Sequence, residues 1–329
     1  MLKGFKQEYS EVFLGSSFII LTIVIWSLAS LESIAKYSAK ASNWVGSHCG
    51  ELYTFIVISC AAAMLACLLP RFKNINLGGN GRRPEYSFMA WFAMLITAGM
   101  GIGLLYYGMA EPVLHSLHSP TGLERSSSAA IRQGFILSST HSGIYPWALY
   151  SLVGLGLLFF TENYNLPPRL SSLLYPILGK RVNGYLGSTI DIFAIIAVLF
   201  GIATTLGVGI KQMSSGLNFI WGVPNTDTIR IILIAGTTLI ATISVVSGLG
   251  RGVKILSVTT TLLSLILLIF VVAQNPWWEQ FAVHLDIQSS ILGNFLPLGL
   301  SLETRSNADW QKNWTTFYWS WWIAWAPFV

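Results

Sequence analysis

The sequence predicts an all-α, polytopic membrane helix bundle, and three observations carry that prediction. Of the 329 residues, 53% are hydrophobic and only 10% are charged, where a soluble globular protein carries roughly a quarter charged. Mean hydropathy is +0.61. The apolar residues gather in runs long enough to cross a hydrocarbon core, which takes about 20 residues of helix. Length alone would allow about two soluble domains, but the composition overrides that reading.

Seven runs qualify, over residues 12–31, 51–69, 87–110, 134–160, 189–210, 229–247 and 254–274. An eighth opens at Trp314 and continues to Val329. The first is not a cleaved signal peptide: its apolar stretch is too long for an h-region, and Glu32 and Lys36 follow instead of a small-residue cleavage site. Residues 1–86 hold two spans and a loop, 87–274 hold five spans, 275–313 form a linker and 314–329 begin a further span.

Loop charge sets the expected orientation. With the N-terminus inside, eleven basic and five acidic residues fall on the inner side, and eight basic against nine acidic on the outer, giving +6 and −1. Basic residues near span ends favour the cytoplasmic side, so the formal charge of +5 reads as topology. Nucleic-acid binding is excluded on the same ground. From Trp314 to Val329 there are 16 residues, about 24 Å of helix against a core about 30 Å thick. A free carboxylate inside the bilayer is costly, so a chain cut short is expected; the alternative is a tilted or re-entrant end.

Few residues point to enzymatic chemistry. The three cysteines form neither a disulfide framework nor a zinc site, with Cys49 alone and Cys60 and Cys67 in an apolar run. His115 and His118 have a spacing compatible with a metal but no third ligand nearby, so no metal is expected. His141 reads as a hydrogen-bonded packing residue, and Glu111 and Asp191 as topology or capping. Motifs for nucleophilic, metal-dependent or phosphate chemistry are missing from the sequence, so no enzyme is expected.

Two segments carry more. In the third span, Ala98-Gly99-Met100-Gly101-Ile102-Gly103 places three glycines at alternate positions, each costing about 1 kcal/mol relative to alanine in a helix. Such a segment can unwind and offer carbonyls to a cation or N–H groups to a carboxylate; it can equally be a small-xxx-small packing face. The second segment runs from Asn313 to Phe328. At about 100° per residue, Trp314, Phe317, Tyr318, Trp321, Trp325 and Phe328 share an arc of about 100°, and Trp322 lies about 40° beyond it. An interfacial belt accounts for one or two of these rings, not for a stripe down the helix. A desolvated cation over an aromatic face gains about 2 kcal/mol or more, which suits a quaternary ammonium that cannot lose its charge; the alternative is a packed aromatic core. Gly143, Trp147, Tyr150 and Gly154 make a second face on the fourth span, open either to a ligand or to close helix packing.

These residues together resemble the betaine/carnitine/choline transporter family. The resemblance rests on Arg83-Pro84-Glu85-Tyr86-Ser87, the glycine segment, Gly108-Met109-Ala110-Glu111-Pro112, Leu174 to Gly179, Val246 to Gly252 and the Trp-rich eighth span, and it covers nearly the whole chain. It implies twelve spans built around two inverted five-helix repeats, the first over 87–274 and the second opening at Trp314, with a helix over about 283–303 joining them. It also implies a homotrimer when the chain is full length.

By the same resemblance, Trp147, Tyr150 and Trp322 form the substrate box, and Phe317, Trp321 and Trp325 line its inner pathway. Ser142 stands where some betaine carriers have another Trp. Gly103, with Gly101 in the same segment, matches betaine-type carriers, whereas proton-coupled choline carriers tend to have Asp at Gly103. The backbone of Thr97 and Met100 matches half of a sodium site. Val198 and Ile202 replace the two threonines of a second sodium site, while its aromatic partner Phe328 is present.

The expected function is secondary active transport of a small quaternary-ammonium compound, glycine betaine first, with carnitine or choline as alternatives. The expected location is the cytoplasmic (inner) membrane, with lipid bilayer as surroundings, no cofactor, and a sodium ion or a proton as coupling ion. The rival is a relic or fragment that inserts without forming a pathway, and these 329 residues by themselves are expected not to transport.

Overall fold

Each apolar run becomes helix because a backbone in hydrocarbon finds no water for its N–H and C=O groups and must pair them internally. The computed structural model describes residues 2–72, 74–75, 77, 84–274 and 276–329, apart from the side chains of 2–10, 100, 102 and 104. Lys73, Arg82 and Arg83 lie outside the described residues, as do the side chains of Lys3, Lys6 and Met100.

Among the described residues every regular element is helical. The α-helices in order are α1 (Leu2–Ala29), α2 (Leu31–His48), α3 (Gly50–Cys67), α4 (Phe88–Ile102), α5 (Gly108–Leu117), α6 (Ser128–Ser142), α7 (Ile144–Tyr164), α8 (Tyr175–Leu178), α9 (Tyr185–Trp221), α10 (Asp227–Val246), α11 (Lys254–Ala273), α12 (Trp277–Gly293), α13 (Phe295–Gly299), α14 (Ala308–Gln311) and α15 (Phe317–Trp325). Single π turns occupy Gly103–Tyr107, Leu249–Val253 and Lys312–Thr316.

Among the described residues, six stretches are long and apolar enough to cross a membrane: Glu11–Ala29, Gly50–Cys67, Ser128–Tyr164, Tyr185–Trp221, Asp227–Val246 and Leu249–Ala273. The chain is a multi-pass membrane protein. Three expected elements take a different form. The third span is no single helix but α4, a non-helical Gly101 (φ −19°, ψ −106°), a π turn and α5. The fourth is broken at Gly143 (φ −91°, ψ −125°), so Trp147 and Tyr150 sit in the first two turns of α7. The linker helix covers Trp277–Gly293, earlier than expected, and the short α13 follows it.

The chain divides into two compact units. Unit 1 comprises residues 1–82, 143–201 and 296–329. Here α15 packs against α3 and α7, and these two pack on each other. Tyr145, Leu149 and Tyr150 of α7 and Val57 and Ala61 of α3 are buried with Tyr318, Trp319, Trp321, Trp322 and Trp325 of α15. A helix apolar all round belongs in an interior, and α15 occupies one. Past α7, Asn165 takes the left-handed conformation (φ 53°) that ends a helix, with Pro167 and Pro168 preventing its continuation. The Asp191 carboxylate then caps the 3-10 turn Leu170–Leu174, accepting from the Ser171 N–H and hydroxyl at 2.9 Å each, with the Arg169 guanidinium 3.4 Å away.

Unit 2 comprises residues 83–142 and 202–295. In it α4 packs on α11, joined by a hydrogen bond from the Thr97 hydroxyl to Ser257 at 2.8 Å. Helices α5 and α6 pack closely because Gly134 has no side chain: a Cβ there would run into the Pro112 carbonyl oxygen. Arg132 of α6 forks onto both carboxylate oxygens of Asp286 on α12, at 2.7 and 3.1 Å. That guanidinium holds the Asp286 carboxyl below the usual carboxylate range.

Candidate functional site

The aromatic residues singled out by sequence converge within unit 1. Trp147 and Tyr150 are three residues apart on α7, so their rings share one side of the helix; they meet edge to face, with centroids 5.7 Å apart and planes at 85°. Tyr150 meets Trp322 of α15 at 6.3 Å and 87°. Tyr150 therefore stands at right angles to both indoles, making the corner of a partial box. Tyr150 and Trp322 are buried and Trp147 is half-buried. Edge-to-face contact places the positive edge of one ring against the negative face of another, and any ring face left open within about 6 Å of a cation attracts it.

The eighth-span rings extend this corner. Trp321 stacks on Trp322 at 5.2 Å and 13°, and Tyr318 stacks on Trp322 at 5.8 Å and 28°. Phe317 joins Trp321 at 5.3 Å. Trp325 fits against Gly201, where a Cβ would come 2.7 Å from its Cε3, and it contacts Phe328 at 4.9 Å. Phe328 itself is half exposed. The expected arc is thus only part of the buried surface: Trp319, outside the arc, is the most completely buried indole, packed on Tyr145 at 5.7 Å. The helical wheel could not find it, because α15 packs against both α3 and α7 and not against one helix.

Two cavities of unit 1 lie beside this cluster's helix. One of about 610 Å³ is lined by residues of α2, α3 and the segment 300–316, including Glu51, Arg305, Lys312 and Thr316. The other, of about 430 Å³, is lined by Val198, Leu199, Asp191, Arg169 and Phe328. Neither is lined by Trp147, Tyr150 or Trp322; these rings contact one another.

The glycine segment belongs to unit 2. Its backbone leaves the helix at Gly101, and a Cβ there would meet nothing within 4 Å. Close packing therefore does not account for that glycine. Gly103 opens the π turn that follows, a rare local form frequent at functional sites. In a regular helix the Thr97 carbonyl would pair with the N–H of residue 101 and the Met100 carbonyl with that of residue 104, and both pairings fall on the irregular stretch. The Thr97 side chain is committed elsewhere, to the Ala93 carbonyl and to Ser257 at 2.8 Å each.

One cluster escaped sequence reasoning. Glu111 and His115, one turn apart on α5, meet His141 of α6: the Glu111 Oε1 lies 3.1 Å from His115 Nε2 and 2.6 Å from His141 Nδ1. All three side chains are at most 2% exposed. His118 is exposed, as a solvated histidine would be, whereas His115 is buried on α5 and not in a solvated loop. The i, i+4 spacing of Glu111 and His115 was visible in the sequence; the approach of His141 was not.

The family profile described as BCCT, betaine/carnitine/choline family transporter, matches residues 11–329. A glycine betaine/proline/choline transporter of Vibrio parahaemolyticus is 35% identical over 98% of this chain and 61% of its own length. The high-affinity choline transport protein of Escherichia coli strain K12 is 35% identical over 97% of the chain and 47% of its own length. A glycine betaine transporter of Bacillus subtilis is 35% identical over 98% of the chain and 64% of its own length. The chain thus spans about half to two-thirds of the length of these curated relatives. With the profile covering all but the first ten residues, the chain belongs to the betaine/carnitine/choline transporter family.

Proposed function

We propose that the protein serves secondary transport of a small trimethylammonium compound, with glycine betaine the first candidate and carnitine and choline next. The observation that carries this reading is the right-angled corner of Trp147, Tyr150 and Trp322, buried among further rings. Such walls suit a head group that keeps its charge and has no hydrogen to donate. Phe317, Trp321 and Trp325 continue the aromatic surface. Within unit 2, the irregular backbone at Gly101 and Gly103 offers N–H groups to an anion or carbonyls to a cation.

For coupling, the Thr97 and Met100 carbonyls are offered as part of a sodium site. Val198 and Ile202 bring only hydrocarbon to the positions of a second one, which leaves a proton as the other candidate. The proposed setting is a cytoplasmic membrane with the N-terminus inside, and a homotrimer as the assembled carrier. A second reading, a packed aromatic core without a ligand, draws on the ring-to-ring contacts.

Isothermal titration of the purified protein with glycine betaine, carnitine and choline separates the two. The transport reading expects one of them to bind and Trp147→Leu and Trp322→Leu each to weaken it by at least about tenfold, as the loss of one desolvated cation–π contact implies. Unchanged affinity in both variants contradicts the box.

A further inference from the structure

The cluster of Glu111, His115 and His141 in unit 2 plays no part in the proposed transport of an ammonium substrate, and it carries an inference independent of that reading. We propose that Glu111, His115 and His141 form a buried site for a divalent transition-metal ion, zinc by preference, which bolts α5 to α6 beyond the break at Gly101.

The donor set is the first argument. One carboxylate oxygen and two imidazole nitrogens lie within 4.8 Å of one another, and two histidines with one glutamate is an established ligand set for zinc. Bonds of about 2.05 Å in tetrahedral array separate donor atoms by about 3.3 Å. The separations of 3.1 and 2.6 Å from Glu111 Oε1 open by about 0.2 and about 0.7 Å to reach that spacing, a side-chain adjustment, and the donors already lie within 4.8 Å of one another.

Burial is the second. A carboxylate removed from water is costly unless a positive partner accompanies it, and the three side chains are at most 2% exposed. A divalent ion held between the carboxylate and the two rings supplies such a partner. To bind it, His115 Nε2 and His141 Nδ1 present lone pairs to the metal, and each ring keeps a proton on its other nitrogen. Zinc suits this set better than magnesium or calcium, which prefer oxygen ligands.

Placement is the third. Glu111 and His115 stand on α5 and His141 on α6, two helices already in close contact where Gly134 meets Pro112. Helix α5 follows directly on the non-helical Gly101 and the π turn. An ion here would fix the far side of the irregular segment while leaving that backbone open.

The test loads the purified, chelator-stripped protein with one equivalent of zinc, or of cobalt(II), and removes excess by gel filtration. About one zinc per chain by mass spectrometry, and a cobalt form with the intense visible bands of four-coordinate nitrogen and oxygen ligation, are expected. His115→Gln and His141→Gln should each lower zinc affinity by at least about tenfold, the scale on which even outer-shell partners act, while His118→Gln keeps it. Tryptophan fluorescence and the melting temperature report whether the variants fold. Should a variant fail to fold, the wild-type cobalt spectrum still decides. Wild-type protein that retains no stoichiometric metal overturns the proposal, as does zinc held equally well by folded His115→Gln and His141→Gln.

Discussion

The third and eighth expected spans use the same backbone device for opposite ends. Each carries a single π turn, Gly103–Tyr107 in unit 2 and Lys312–Thr316 in unit 1. Before the first turn the chain holds glycines, leaves the helix at Gly101 and keeps open space around it. After the second it holds rings, and Tyr318, Trp319, Trp321, Trp322 and Trp325 are all buried. One segment presents backbone polarity by omitting side chains; the other presents aromatic faces by crowding them. An irregular turn is thus compatible with either chemistry, and the flanking residue types decide which.

Substitutions should reproduce that contrast. Trp319→Ala removes the most completely buried indole and should cost about 3–5 kcal/mol of stability, read as a lowered unfolding midpoint in detergent. Gly101→Ala, with nothing within 4 Å of the new Cβ, should leave that midpoint much closer to wild type while altering ligand or ion affinity. A large stability loss at Gly101 and none at Trp319 would reverse the comparison.

Gly201→Val comes next. Its Cβ would meet Trp325 at 2.7 Å, and overpacking of this kind costs about 1–3 kcal/mol. Thr97→Val deletes the hydroxyl bonded to Ser257, a loss of about 0.6 kcal/mol on the scale of hydrogen bonds between membrane helices. Because the proposed role of Thr97 lies in its backbone carbonyl, the same variant should leave ion dependence unchanged. Loss of ion dependence in Thr97→Val would move the role to the side chain.

The smallest effect concerns Asp286. Its carboxyl is held below the ordinary range by the Arg132 guanidinium, so its contribution is present above the unfolded-state value of about 3.9 and is lost as pH falls through the lower folded-state value. Both groups are about half exposed and salt screens them. The acid limb of a melting curve should shift slightly in Asp286→Asn, and less so at high salt.

Much of the architecture was legible because hydropathy reports the bilayer directly. The runs at 12–31, 51–69, 189–210, 229–247 and 254–274 each correspond to a helix long enough to span. The break at Gly143 was not legible, since one glycine in an apolar run is common in membrane helices and its departure from helix is set by neighbours. Trp147 and Tyr150 were readable from spacing and Trp322 from the resemblance, and Tyr150 contacts both indoles. Trp319 was missed because an arc on a helical wheel assumes one buried face. The pairing of His141 with Glu111 joins residues 30 apart in sequence, and no local period encodes it.

The central claim is that the corner of Trp147, Tyr150 and Trp322 recognises a permanent positive charge, not only a greasy shape. The direct measurement compares binding of choline with that of 3,3-dimethylbutanol, which has carbon in place of nitrogen, in wild type and Trp322→Leu. The account predicts that choline binds at least about tenfold more tightly than the neutral isostere, a lower bound for one desolvated cation–π contact, and that Trp322→Leu erases most of that ratio. Equal affinities in wild type, or a ratio untouched by the substitution, would contradict it.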